Sequence, residues 1–159
     1  MGSRVRLYID RAENELKTAQ ILSRVSEEED LKEEFEVDSD TTFYSSVISH
    51  SYFSIFFASK AILKSKGITT ESPNVHRKTF KKFKEEFVDS GVLDVELLKI
   101  YEELVVKADE LLQIFKEEKW KRGQFTYKTL SQANKEPAEN SVENAKKFLK
   151  NIRKVLNSA

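Results

Sequence analysis

A short basic and aromatic run in the second half of the chain is the strongest candidate for a binding site. Its central residues are Arg122 and Tyr127, and its other cationic and stacking residues are Lys121, Lys128 and Trp120. A guanidinium group can hold a phosphate through two hydrogen bonds, and rings beside cations can stack on nucleobases. The run therefore predicts a nucleotide- or RNA-binding site. A loop arginine beside a packed tyrosine would explain the same residues without a ligand.

The two histidines are the other candidates. His50 lies in the middle of an apolar segment, on a helical stripe with Phe53 and Phe57. It is either a packed residue that is hydrogen-bonded to a neighbour or a group that lines a cleft between helices. His76 lies at the start of a later helix, on a stripe with Phe80, where it either caps the helix or packs.

Several kinds of site are excluded by composition. The chain has no cysteine, so disulfides, thiolate zinc sites and a cysteine nucleophile are ruled out. Two histidines far apart argue against a histidine-rich metal site. Phosphate-binding loops, dinucleotide-binding turns, HExxH and EF-hand loops are absent from the sequence. We therefore expect neither a metal nor a cofactor.

The formal net charge is zero, but the charges are segregated. Almost every charge in Ser26–Asp40 is negative, whereas basic residues outnumber acidic ones from Lys116 onward. A basic final third is compatible with a phosphate-bearing partner, and solvated helix faces explain it equally. The N-terminus lacks the apolar core of a signal peptide, and no apolar run is long enough to span a membrane. We therefore expect a cytoplasmic protein with no membrane partner.

Apolar residues recur every three or four positions along most of the chain, which is typical of amphipathic helices. The spacing predicts helices over Arg4–Val25, Thr42–Lys66, Asn74–Asp89, Asp94–Trp120 and from Asn140 onward. The second of these is apolar or small on nearly every side, so we expect it to be the central helix. Low glycine and proline contents also favour long helices.

The segments between these helices carry most of the breaking and charged residues. The acidic stretch Ser26–Asp40 is expected to be a solvated connection with a short turn near Leu31–Phe35, and Lys121–Glu139 a loop. On the first helix, Arg11 and Glu15 are spaced as an ion pair on its exposed side. The chain is thus expected to be a single all-α domain over residues 1–159, an up-and-down bundle of four to five helices.

Five stretches carry a resemblance to a known family. They are RAENELKTAQIL from Arg11, SHSYFSIFFASKAILKSKGI from Ser49, HRKTFKKFKEEFVDSG from His76, RGQFTY from Arg122 and ENAKKFLKNIRKVL from Glu143. The chain resembles the small archaeal and bacterial HEPN proteins (higher eukaryotes and prokaryotes nucleotide-binding). The resemblance implies a homodimeric helical bundle that acts beside RNA or nucleotides. It also implies a toxin–antitoxin-like pairing with a small nucleotidyltransferase.

Many HEPN proteins are metal-independent ribonucleases whose signature is an Arg followed four to six residues later by a His. Here Arg122 matches the Arg, but Tyr127 stands where the His would be. A tyrosine with an ordinary pKa of about 10 is a poor general base at neutral pH. The resemblance therefore favours a binding or partner module without clear catalysis. Two other functions stay open: a divergent endoribonuclease that uses Arg122, Tyr127 and His50, and a helical scaffold subunit. The family motif could also align with Lys107–Asp109 instead of Arg122.

Overall fold

The computed structural model describes residues 1–105 and 135–158. Its elements are α1 (Ser3–Glu27), α2 (Glu29–Glu34), α3 (Tyr44–Ser65), α4 (Val75–Phe83) with a π-helical turn (Lys84–Val88), α5 (95–105) and α6 (Lys135–Ser158). These described residues contain helices and no strand. The prediction of an all-α helical bundle is confirmed.

The central pair of the bundle is α1 and α3, which share the most extensive helix–helix interface. The two helices run antiparallel, because successive contacts pair rising positions on α1 with falling positions on α3: Tyr8 with Phe57, Ala12 with Ser54, and Glu15 with His50. At the crossing, the Ser54 hydroxyl donates a 2.8 Å hydrogen bond to the carbonyl of Ala12. Both residues are fully buried, so small side chains allow the two backbones to approach closely here.

The core surrounds α3, as its composition predicts. No residue from Tyr44 to Lys64 is exposed, and the helix contacts α1, α4 and α6. It reaches α5 through an edge-on contact between the rings of Tyr52 and Tyr101. A helix that is apolar on all sides is stable in water only when neighbours cover it, which explains its position.

A second group of rings joins the later helices. Tyr101 of α5 is fully buried and contacts Phe80 and Phe83 of α4 and Phe148 of α6. The turn before α5 contains Gly91, whose φ of +78° lies in the left-handed region that glycine adopts without strain. The remainder of the predicted fourth long helix, after residue 105, lies outside the described residues.

Two sequence expectations differ from the structure. Helix α6 spans Lys135–Ser158, so Asn140 is an interior residue and not the start of the helix. Pro137 fits the first turn, where its missing N–H would have had no helical partner. The acidic connection is also more ordered than expected, because it forms α2. The buried Lys32 of α2 donates a 2.7 Å hydrogen bond to the carbonyl of Ser39.

Candidate functional site

The structure describes only part of the predicted site. The basic and aromatic run with Arg122 and Tyr127, together with Lys121, Lys128 and Trp120, lies outside the described residues. Both histidines lie within them: His50 on α3 contacts Glu15 of α1, and His76 of α4 packs against rings of α3. The candidate site is therefore built from the surroundings of His50 and His76.

One side of α3 carries a row of rings that neighbouring helices cover only in part. We call this surface the α3 aromatic face and define it by Tyr52, Phe53 and Phe57 of α3, Tyr8 of α1 and His76 of α4. The rings of Tyr52, Phe53, Phe57 and Tyr8 are all half-buried. His50, Phe53 and Phe57 are spaced three and four apart, so they follow one another along this side of the helix. Phe53 also contacts the ring of His76.

Glu15 of α1 fixes the position of His50. One carboxylate oxygen lies 2.5 Å from His50 Nδ1, and the other accepts a 3.2 Å hydrogen bond from Nε of Arg11. The Glu15 side chain is only 11% exposed, whereas those of His50 and Arg11 are 33% and 59% exposed. The expected ion pair between Arg11 and Glu15 exists, but its placement on the exposed side of α1 was wrong for Glu15. Because α3 packs antiparallel on α1, it covers this carboxylate.

His76 packs against α3 instead of capping its own helix. Its ring stacks on Phe56 with centroids 4.2 Å apart, and Nδ1 lies 2.7 Å from the hydroxyl of Tyr52. Burial lowers the pKa of His76 below its ordinary value of 6.5, and the positive charge of Lys60 lowers it further. The imidazole is therefore favoured in its neutral form, in which Nδ1 can accept the hydrogen bond that the Tyr52 hydroxyl donates.

Two cations lie over the rings of the α3 aromatic face. The guanidinium carbon of Arg11 is 5.2 Å from the centre of the Phe57 ring, and Nζ of Lys60 is 5.2 Å from that of Tyr8. Both distances are within the range of cation–π attraction. Tyr8 and Phe57 also stack on each other, with centroids 6.4 Å apart. The surface thus joins aromatic planes, two positive charges and an oriented histidine.

A separate cleft of about 640 Å³ lies between α1 and α6. Its lining includes Arg24, Glu27, Glu139 and Lys146. The pKa of Glu27 is raised above its ordinary value, mainly by a hydrogen bond between the carboxyl groups of Glu27 and Glu139 and secondly by burial. The Arg24 guanidinium is already bound to Glu28. Since its charges are of both signs and mostly satisfy one another, the cleft is a weaker candidate than the α3 aromatic face.

Within the described ranges 1–105 and 135–158, no group of three histidine or acidic side chains is arranged to hold a metal ion. The helices described there include none that is both long and apolar enough to cross a membrane.

Glu15 and Arg11 are the site residues that sequence reasoning missed. Their four-residue spacing is the usual pattern of a surface ion pair, and it carries no information about a partner 35 positions away. No protein-family model, curated protein or solved structure matches the chain.

Proposed function

We propose that this protein is a binding module for single-stranded RNA or a nucleotide, and that bases stack on the α3 aromatic face. One observation carries the proposal: the half-buried rings of Tyr8 and Phe57 stack on each other, with Arg11 over Phe57 and Lys60 over Tyr8. The half-buried ring of Phe53 lies one helical turn before Phe57 and adds a further plane. Proteins that bind single strands combine such rings with cations that track the phosphates.

The predicted run around Arg122 and Tyr127 would supply more of the same chemistry. Lys121, Lys128 and Trp120 add charge and stacking area, and the resemblance to HEPN proteins assigns this region to nucleotide or RNA contacts. The position of the run relative to α3 stays a prediction.

The test is binding of a fluorescein-labelled single-stranded RNA octamer, measured by fluorescence anisotropy. Phe53→Leu keeps the apolar bulk but removes the aromatic ring, so it separates stacking from folding. Loss of one base stack costs about 1–3 kcal/mol, which is a factor of roughly 5 to 150 in affinity. Phe35→Leu is the matched control, because Phe35 is 58% exposed at the end of the acidic helix α2. Equal affinities for the two variants would refute stacking at this face.

A second candidate is the divergent metal-independent endoribonuclease with Arg122, Tyr127 and His50. The contact between Glu15 and His50 favours it, since a carboxylate that binds one nitrogen of an imidazole orients the other for proton transfer. His50 would take the proton of a ribose 2′-hydroxyl as its oxygen attacks phosphorus. The bond to the 5′-oxygen would then break, and this oxygen would take a proton from water. Incubation of the protein with total RNA and EDTA tests the endoribonuclease hypothesis. RNA cleavage that is lost in His50→Gln supports the hypothesis, and RNA that stays intact refutes it.

The remaining proposals concern partners. The resemblance supports a homodimer that pairs with a small nucleotidyltransferase in a toxin–antitoxin-like system, and the cytoplasmic location stays a prediction. Light scattering coupled to size-exclusion chromatography measures the oligomeric state. Co-expression with a nucleotidyltransferase encoded next to this chain, followed by purification through one tagged subunit, tests the pairing. Should the protein bind neither RNA nor nucleotides but form a stable complex with a protein, the scaffold alternative would replace the binding module.

A further inference from the structure

We infer that Arg11 and His50, held together by Glu15, form a subsite for a phosphate ester next to the α3 aromatic face. The inference deepens the proposed function and rests on it for the identity of the ligand as a nucleotide or a single strand. It assigns the phosphate to a place that the predicted run around Arg122 does not include.

Glu15 joins Arg11 and His50 through its two carboxylate oxygens. Both oxygens of the Glu15 carboxylate are used, one by Nε of Arg11 and the other by Nδ1 of His50. The carboxylate is nearly buried, and it lies beneath two side chains that are more exposed. It therefore acts as a positioning group that limits the freedom of both neighbours before any ligand binds.

Arg11 and His50 keep polar atoms that can bind a ligand. Glu15 binds Arg11 through Nε, so the two terminal nitrogens of the guanidinium remain as donors. Among the described residues, none makes a hydrogen bond with these nitrogens or with Nε2 of His50. A guanidinium edge is a strong phosphate donor. Nε2 of His50 is a second polar atom that can share a hydrogen bond with the phosphate group.

The charges of the cluster indicate which chemical class of ligand it can bind. A metal ion is disfavoured, because the charge of Arg11 lies next to the only carboxylate of the cluster. An anion is favoured by the same charge. Since Arg11 also lies over the ring of Phe57, the anion would be adjacent to a stacking plane. A nucleotide has this layout, with a phosphate one sugar away from a planar base. The shared chemistry is a phosphate on a nucleoside, either the diester of a strand or the terminal group of a mononucleotide.

The test compares two arginines of the same helix. Arg11→Gln and Arg24→Gln remove the same charge from α1, and each arginine pairs with a glutamate four residues on. Binding of the labelled RNA octamer is measured between about 50 and 300 mM salt. The slope of log K against log salt is negative, and loss of one phosphate contact reduces its magnitude by about 0.7 for a single strand. We expect this reduction, with a roughly 5- to 10-fold loss of affinity at low salt, in Arg11→Gln only. Equal slopes in the two variants overturn the subsite.

A second measurement separates this inference from the proposed function. The chain has only two histidines, so the imidazole NMR signals of His50 are assigned by comparison with His76→Gln. Wild-type protein is titrated with inorganic phosphate, with AMP and with the octamer. Shifts of the His50 signals with phosphate, absent in Arg11→Gln, support the subsite even if no RNA binds. RNA binding that needs Phe53 but leaves the His50 signals unmoved supports the proposed function and refutes the subsite. If no probe binds, both are refuted.

Discussion

The contact between Glu15 and His50 can be tested by its contribution to stability. Glu15→Ala removes two hydrogen bonds that contribute differently to the free energy of unfolding. The pair with Arg11 is four residues apart, and the arginine side chain is 59% exposed, so its loss costs about 0.3–0.5 kcal/mol. The bond from His50 is less exposed and involves a charged acceptor, which makes it worth about 1.5–3 kcal/mol. We therefore expect Glu15→Ala to lower the free energy of unfolding by about 2–3.5 kcal/mol.

Urea denaturation followed by circular dichroism at 222 nm measures this change. The control is Glu13→Ala on the same helix, because Glu13 pairs with Arg153 across a more exposed interface. Its loss should cost less than about 1 kcal/mol. Glu15→Gln keeps an acceptor oxygen and should lose only about half as much stability as Glu15→Ala.

A double-mutant cycle isolates the pair itself. Glu15→Ala, His50→Ala and the double variant should give a coupling energy of about 1–2 kcal/mol, in the range of residues in direct contact. A coupling energy below about 0.3 kcal/mol would show that Glu15 does not hold His50. The phosphate subsite and the proton-transfer role of His50 would then lose their physical basis.

Three further predictions concern the bundle around the site. Phe83→Ala should destabilise the protein by about 3–5 kcal/mol, because the ring is fully buried, whereas Phe35→Ala should change stability by less than about 0.5 kcal/mol; urea unfolding compares them. Ser26→Ala should cost about 1–3 kcal/mol in the same assay, since the buried hydroxyl accepts a 2.7 Å hydrogen bond from the backbone amide before α3. The lowered pKa of His76 predicts that its contribution to stability is complete above the ordinary pKa of 6.5 and is lost as the pH falls from there through the lower pKa of the folded state. His76→Phe should therefore flatten the pH dependence of the melting temperature between about pH 7.5 and 5.5, and an unchanged profile would contradict the assignment.

Helix spacing explains why so much of the fold was predictable. Val5, Ile9, Ala12 and Ala19 recur at helical intervals on α1, and all four are buried. This regularity is local, because a helix repeats every 3.6 residues whatever lies beside it. The start of α6 was misplaced because Asn140 and its neighbours form a capping pattern that a continuous helix also tolerates.

The amino-acid sequence by itself determined the all-α class, the extent of α1, α3 and α4 to within a few residues, and the central position of α3. It also identified His50 as a histidine in an apolar helix. Only the tertiary structure decided what His50 contacts. The partner Glu15 is 35 residues away, and it meets His50 because α1 and α3 pack antiparallel with Ala12 against Ser54. Periodicity specifies which side of each helix is buried, but the register between two helices depends on how their side chains interlock, and no spacing within one helix encodes it.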